Sequence, residues 1–197
     1  MAERHDLVIG IGNPLRGDDG VGWWLAERAA RLSTASRKRP ALQVHSVQQL
    51  TPELAERLAL ARRVLFVDAW LAPAGLRAHP DASIAEPPVS PIVARLQPLQ
   101  PTRQVNREPA MADISVFSHR LDPAQLLAIT ALLHGREPQA ALLLVPLFAT
   151  SHGEDFSMPL RRLLPQAEAL LRRWCAGGIP AAGRVAGSRS RDSESHA

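Results

Sequence analysis

The apolar positions along this chain change period repeatedly, and each change marks an element. Leu7, Val8 and Ile9 form a short continuous apolar run, as a buried strand does. Val21, Trp24, Leu25, Ala29 and Leu32 recur at helical spacing and predict a helix over about 19–32, with Trp23 off its apolar stripe. Leu42 to Val47 alternates like a half-buried strand, with Leu42, Val44 and Ser46 on one side and His45 between them. Thr51 and Pro52 read as the N-cap and first residue of a helix to about Leu60. Val64 to Val67 is a second continuous run, expected of a central strand covered on both faces, and it stops at Asp68.

The second half is less regular. Gly75 to Pro80 gives a weak strand signal. The stretch at about 81–110 is rich in proline without sustained periodicity and reads as a flap, a binding loop or a disordered insertion, with room for a helical turn or two between Pro91 and Leu99. Asp122, Pro123 and Gln125 spell a capping box, predicting a helix to about His134 that Gly135 ends. Ala140 to Val145 is the last buried strand, and Pro146 marks it as an edge or ends its pairing. Leu160, Leu163, Leu164, Ala167, Leu170, Leu171 and Trp174 form a strong helical stripe, in which Pro165 implies a break or a start near Leu164. Alternating strands and helices predict one α/β domain over 1–175, followed by a small, polar, Gly/Ser-rich tail at 176–197 expected to be disordered.

Composition narrows the class. Of 197 residues 46% are hydrophobic and 21% charged, which is ordinary for a globular protein. Cys175 is the only cysteine, so neither an internal disulfide nor a Cys-x-x-Cys zinc site is available, and a reducing cytoplasm fits. No apolar run approaches the ~20 residues of a membrane span, and MAERHDLVIG has no long apolar h-region, so a soluble, unexported protein is expected. The net charge of +4 is carried almost entirely by arginines dispersed along the chain. Their one dense cluster, Arg37-Lys38-Arg39, has no interleaved aromatics, which argues against nucleic-acid binding.

Candidate chemistry concentrates in Leu7 to Gly22, LVIGIGNPLRGDDGVG. A strand, a glycine-rich turn and a helix here deliver Asp18 and Asp19 to the mouth of a sheet, where open α/β folds bind their ligands. A dinucleotide fingerprint would need glycine at Leu15, and a Walker A loop would need Gly-Lys-Ser/Thr. Two adjacent aspartates would also repel a pyrophosphate. Either aspartate can cap the helix while its neighbour faces the crevice. Asp68 closes the most buried strand and is expected at the same sheet edge as Asp19; the structural alternative is a carboxylate accepting loop amides. His119 lies in a loop just before a helix, and a lone histidine there is more often a structural residue than a ligand. Two carboxylates and an imidazole would suit zinc, nickel, iron or manganese, belonging to the protein or brought by a substrate. An Asp pair with His as metal-free general acid and base is equally open.

The sequence resembles the nickel–iron hydrogenase maturation proteases. The resemblance is carried by GIGNPLRGDDGVG at Gly10 to Gly22, QLTPELAE at Gln49 to Glu56, VLFVDA at Val64 to Ala69, SHRLDPAQLL at Ser118 to Leu127, and LLLVP followed by HGEDFS. It covers most of about 6–175, and the Pro-rich insertion is longer than the family pattern. It implies a three-layer α/β/α sandwich with a mostly parallel five-stranded mixed sheet, of phosphorylase/hydrolase-like type. It further implies a cytoplasmic, monomeric, aspartic-type endopeptidase whose partner is a hydrogenase large-subunit precursor. Such an enzyme removes the C-terminal extension after nickel insertion. Asp19, Asp68 and His119 match the family's nickel-recognising ligands and are the expected catalytic and metal residues, with nickel carried by the substrate. The rival reading is a non-catalytic metal-binding or carrier module of the same fold.

Overall fold

The computed structural model describes residues 4–34, 41–71, 93–100 and 121–178. Its sheet has five strands: β1 (His5–Ile11), β2 (Leu42–Val47), β3 (Ala61–Leu71), β4 (Arg95–Leu99) and β5 (Gln139–Leu147), in the order β2-β1-β3-β5-β4. All neighbours are parallel except β4, which runs antiparallel along β5. Among the described residues four helices cover the sheet: α1 (Val21–Thr34), α2 (Leu54–Leu60), α3 (Pro123–His134) and α4 (Met158–Cys175).

Strand alternation sorts the apolar residues into two cores. Val8, Leu65, Val67, Ala141 and Leu143 face α1 and α4, packing on Leu25, Leu160, Leu171 and Trp174. Leu7, Ile9, Val64, Phe66 and Ala140 face α2 and α3, packing on Leu54, Leu58, Leu126 and Leu127. A sheet buried on both sides needs continuous apolar runs, which β1, β3 and β5 supply. The expected three-layer α/β/α sandwich with a mostly parallel mixed sheet is thus the observed one. Because β1 is followed by β2 on one side and flanked by β3 on the other, the strand order reverses between β1 and β3.

Several expectations change in detail. β3 does not stop at Asp68 but continues to Leu71, because β5 pairs with it along that length. Within the Pro-rich stretch Arg95–Leu99 form β4 rather than a helical turn, Pro98 being tolerated because β4 is an outer strand, while 81–92 and 101–110 lie outside the described residues. β5 is an inner strand, and Pro146 lies beyond Leu144, where the β4 ladder ends. α2 begins at Leu54 without a side-chain cap, Thr51 and Pro52 forming a preceding turn. α4 runs unbroken through Pro165: the ring sits on the exposed face, while Leu160, Ala167, Leu171 and Trp174 are buried and hold both halves on one core. α3 follows its sequence signals closely, with the Asp122–Gln125 capping box and Gly135 in the left-handed conformation at φ 60°. Gly75–Pro80, Arg37-Lys38-Arg39 and residues 179–197 lie outside the described residues.

A buried ion pair went unread in the sequence. Arg63 pairs with Asp6 on neighbouring strands at the amino-terminal end of the sheet, both nearly inaccessible. Arg63 also donates to the Trp174 carbonyl (3.2 Å) and stacks over the Trp174 ring, 4.4 Å from its centroid. The network fastens the last turn of α4 to the end of the sheet opposite the candidate site.

Candidate functional site

The glycines of the opening motif set the approach of α1 to β1. A Cβ on Gly10 would stand 2.2 Å from the Gly22 carbonyl oxygen, and one on Gly22 would stand 2.1 Å from that of Ile11. Neither side chain could be accommodated without moving backbone. Gly12 takes φ +133° and turns the chain out of the sheet beneath the Asp19 carbonyl. The chain then returns through a 3-10 turn at Gly17–Gly20 that carries both aspartates.

The two aspartates do different work. Asp18 is completely buried and caps no helix; both of its oxygens are occupied by the loop between β5 and α4. Oδ2 accepts from the Phe148 and Ala149 amides and the Ser157 hydroxyl (2.8, 3.0 and 2.7 Å), and Oδ1 accepts from the Ser157 amide at 2.7 Å. Backbone bonds from Gly17 to the Gly153 carbonyl and from Gly153 to the Leu15 carbonyl sew the same two loops together. Asp18 therefore orients its neighbour. The HGEDFS segment is the sequence signal for it, since Ser157 closes both the cradle and the N-cap of α4. Within that segment His152, Glu154 and Asp155 are exposed, as expected.

Asp19 accepts a hydrogen bond from the Asn13 amide (3.0 Å) and lines a cavity of about 230 Å³. Asp68 lines the same cavity. The β1–β3 ladder ends at Gly10 and Val67, so Asp68 is the first β3 residue past the end of that ladder. Alternation from Phe66 directs it to the α2/α3 side of the sheet. Its Oδ1 accepts from the Ala69 amide at 2.8 Å. The remaining walls are Ile11, Gly12, Gln48, Gln49 and Leu50 on one side and Leu121, Asp122 and Pro123 on the other. The cavity thus occupies the reversal point of strand order, and the structure brings Asp19 and Asp68 together there.

His119 lies outside the described residues. Leu121, two positions later, lines the cavity and forms an isolated antiparallel bridge with Leu50. Among the described residues no three His, Cys, Asp or Glu side chains converge closely enough to hold a metal ion. Gln48 and Gln49 are lining residues that sequence reasoning did not single out. Cys175 ends α4 beside the Arg63–Trp174 contact, at the end of the sheet opposite Asp19 and Asp68.

An open, doubly wound α/β sheet with two carboxylates in its switch-point cleft defines the class of this protein. No protein-family model and no curated protein matches the sequence. Solved structures do match. A [NiFe] hydrogenase maturation protease HycI from Thermococcus kodakarensis KOD1 superposes with a TM-score of 0.54 at 20% identity, over 87% of this chain and 90% of that one. The [NiFe] hydrogenase maturation protease HybD from Thermococcus kodakarensis gives 0.54 at 13% identity, over 87% and 99%. The hydrogenase maturating endopeptidase HybD from E. coli gives 0.53 at 15% identity, over 86% and 93%. The chain has the fold of the hydrogenase maturation proteases, and the resemblance read from its motifs is matched by its architecture. Among the described residues no helix is long and apolar enough to cross a membrane.

Proposed function

We propose that this protein is a hydrogenase maturation endopeptidase that removes the C-terminal extension of a nickel–iron hydrogenase large-subunit precursor after nickel insertion. The observation that supports the reading best is the convergence of Asp19 and Asp68, far apart in sequence, on one cavity at the strand-order reversal. The chain reaches that cavity again at Leu121, two positions after His119 in the same motif. Carboxylate and imidazole ligands suit a divalent first-row ion and leave coordination positions for groups already bound to it. Asp19, Asp68 and His119 would engage nickel that the precursor carries, as part of the substrate and not as a resident cofactor. Loading with nickel then licenses the cut. The protein acts in the cytoplasm as a monomer on this reading.

Purified protein incubated with nickel-loaded and nickel-free precursor tests it by the mass of the large subunit. Shortening of the nickel-loaded form alone is expected, abolished by Asp19→Ala, Asp68→Ala or His119→Ala with the fold retained. Stable binding without a cut would identify a carrier instead. Normal processing by His119→Ala would remove that residue from the site.

A further inference from the structure

The two outer strands of the sheet are unequally protected. β4 carries Arg95 and Pro98, a charge and a missing amide, both of which discourage pairing with another chain. β2 reads Leu-Gln-Val-His-Ser-Val, with no proline and no lysine, arginine, aspartate or glutamate. No described residue pairs with its outer side. The register tells which backbone groups are open there. Asp6 donates to the Ala41 carbonyl and Gly12 to that of Val47, and the ladder runs unshifted between them. Parallel pairing alternates, so Gln43, His45 and Val47 spend their backbone groups on β1, whereas Leu42, Val44 and Ser46 direct theirs outward. Six residues make an edge about 20 Å long. Its carboxyl end runs through Gln48, Gln49 and Leu50 straight into the wall of the Asp19–Asp68 cavity.

We infer that the outer edge of β2 is the docking strand for the polypeptide substrate. The precursor's C-terminal segment adds to the sheet as an extended strand, using the backbone groups of Leu42, Val44 and Ser46. This inference rests on the proposed protease reading and deepens it. Main-chain pairing supplies affinity for an extended peptide with little demand on its side chains. From a strand docked outside β2 to Asp68 on β3 the peptide must pass over the ends of β2 and β1, three strand spacings or roughly 14 Å, which about four extended residues span.

Two measurements test this. Hydrogen exchange is pulsed for seconds on mixing with excess nickel-loaded precursor, with mature large subunit lacking the extension as the control. The amides of Leu42, Val44 and Ser46 are expected to slow at least about tenfold with the precursor only, while those of Gln43, His45 and Val47 are already slow. Ser46→Pro, which removes one outward amide and leaves the β1 ladder intact, should raise KM for the precursor by about 3–10-fold with kcat little changed, as loss of one backbone hydrogen bond implies. Ser46→Ala, which keeps the outward amide, separates loss of the amide from loss of the hydroxyl. Unaltered exchange at the three amides overturns the proposal, as does an unchanged KM in folded Ser46→Pro. Protection already present in the free protein would assign the edge to the chain's own tail, and concentration-dependent protection without precursor would assign it to a second copy; either overturns it too. Should the parent protein fail to cut, the protease reading falls, while the exchange pattern still decides the edge.

Discussion

Asp18→Asn isolates the device that holds the candidate site in place. The parent carboxylate is wholly buried and satisfies four donors, three on Oδ2 and one on Oδ1. Asparagine has the same shape but a single acceptor oxygen, so in either orientation its NH2 group confronts at least one amide of the β5–α4 loop. Hydrogen bonds to a charged group contribute about 1.5–3 kcal/mol each, and an orphaned buried donor costs about 1–3 kcal/mol. Losing one to three such bonds, offset in part by no longer burying a charge, gives a loss of about 3–5 kcal/mol. At about 2–4 °C per kcal/mol for a domain of this size, Tm should fall by roughly 6–20 °C. The comparison variant is Asp19→Asn, whose one bond to a backbone amide comes from Asn13, and whose cost should stay near 1 kcal/mol. Thermal and urea unfolding of both proteins measure the difference. An Asp18→Asn variant no less stable than Asp19→Asn would refute the cradle as the element that fixes the loop.

Other perturbations follow from the same geometry. Gly22→Ala should destabilise by about 3 kcal/mol or more, read as a lowered urea midpoint, because its Cβ would meet the backbone of β1 at 2.1 Å. Arg63→Ala should cost about 3–5 kcal/mol by leaving Asp6 buried with only the half-exposed Arg62 as partner, whereas replacing both Asp6 and Arg63 by apolar residues should cost less than either single change. Burial, aided by the Arg57 charge, holds the His45 imidazole below its ordinary value of 6.5, so the unfolded chain takes up a proton first as pH falls. The His45 contribution to stability is therefore full above about pH 6.5 and declines as pH drops from there toward the folded-state value. Urea unfolding at pH 5 and 7.5 should show a smaller loss in His45→Gln than in the parent.

The layers of the fold were legible because each is written in a local code. Continuous apolar runs announced β1, β3 and β5, helical stripes announced α1 and α4, and a complete capping box with a terminal glycine announced α3. Asp19 and Asp68 were legible for the same reason, each standing where an apolar element gives way to the crevice. β4 was not, since a five-residue outer strand containing Pro98 carries almost no period and exists through its pairing with β5. The unbroken course of α4 was equally hidden, because Pro165 penalises a helix locally and only the shared burial of Leu160 and Trp174 outweighs it.

Neighbours along the chain suffice to specify the alternation of strands and helices, the glycine-rich turn and the identity of the acidic residues. Only the tertiary structure decided that Asp18 is a buried tie and Asp19 a cavity residue, because the donors that make the distinction come from a loop far along the chain. It alone decided that Asp68 lies past the end of the β1–β3 ladder, and that β2 is an outer strand of the described sheet leading to the site. Both depend on strand order and register, which short-range periodicity does not encode.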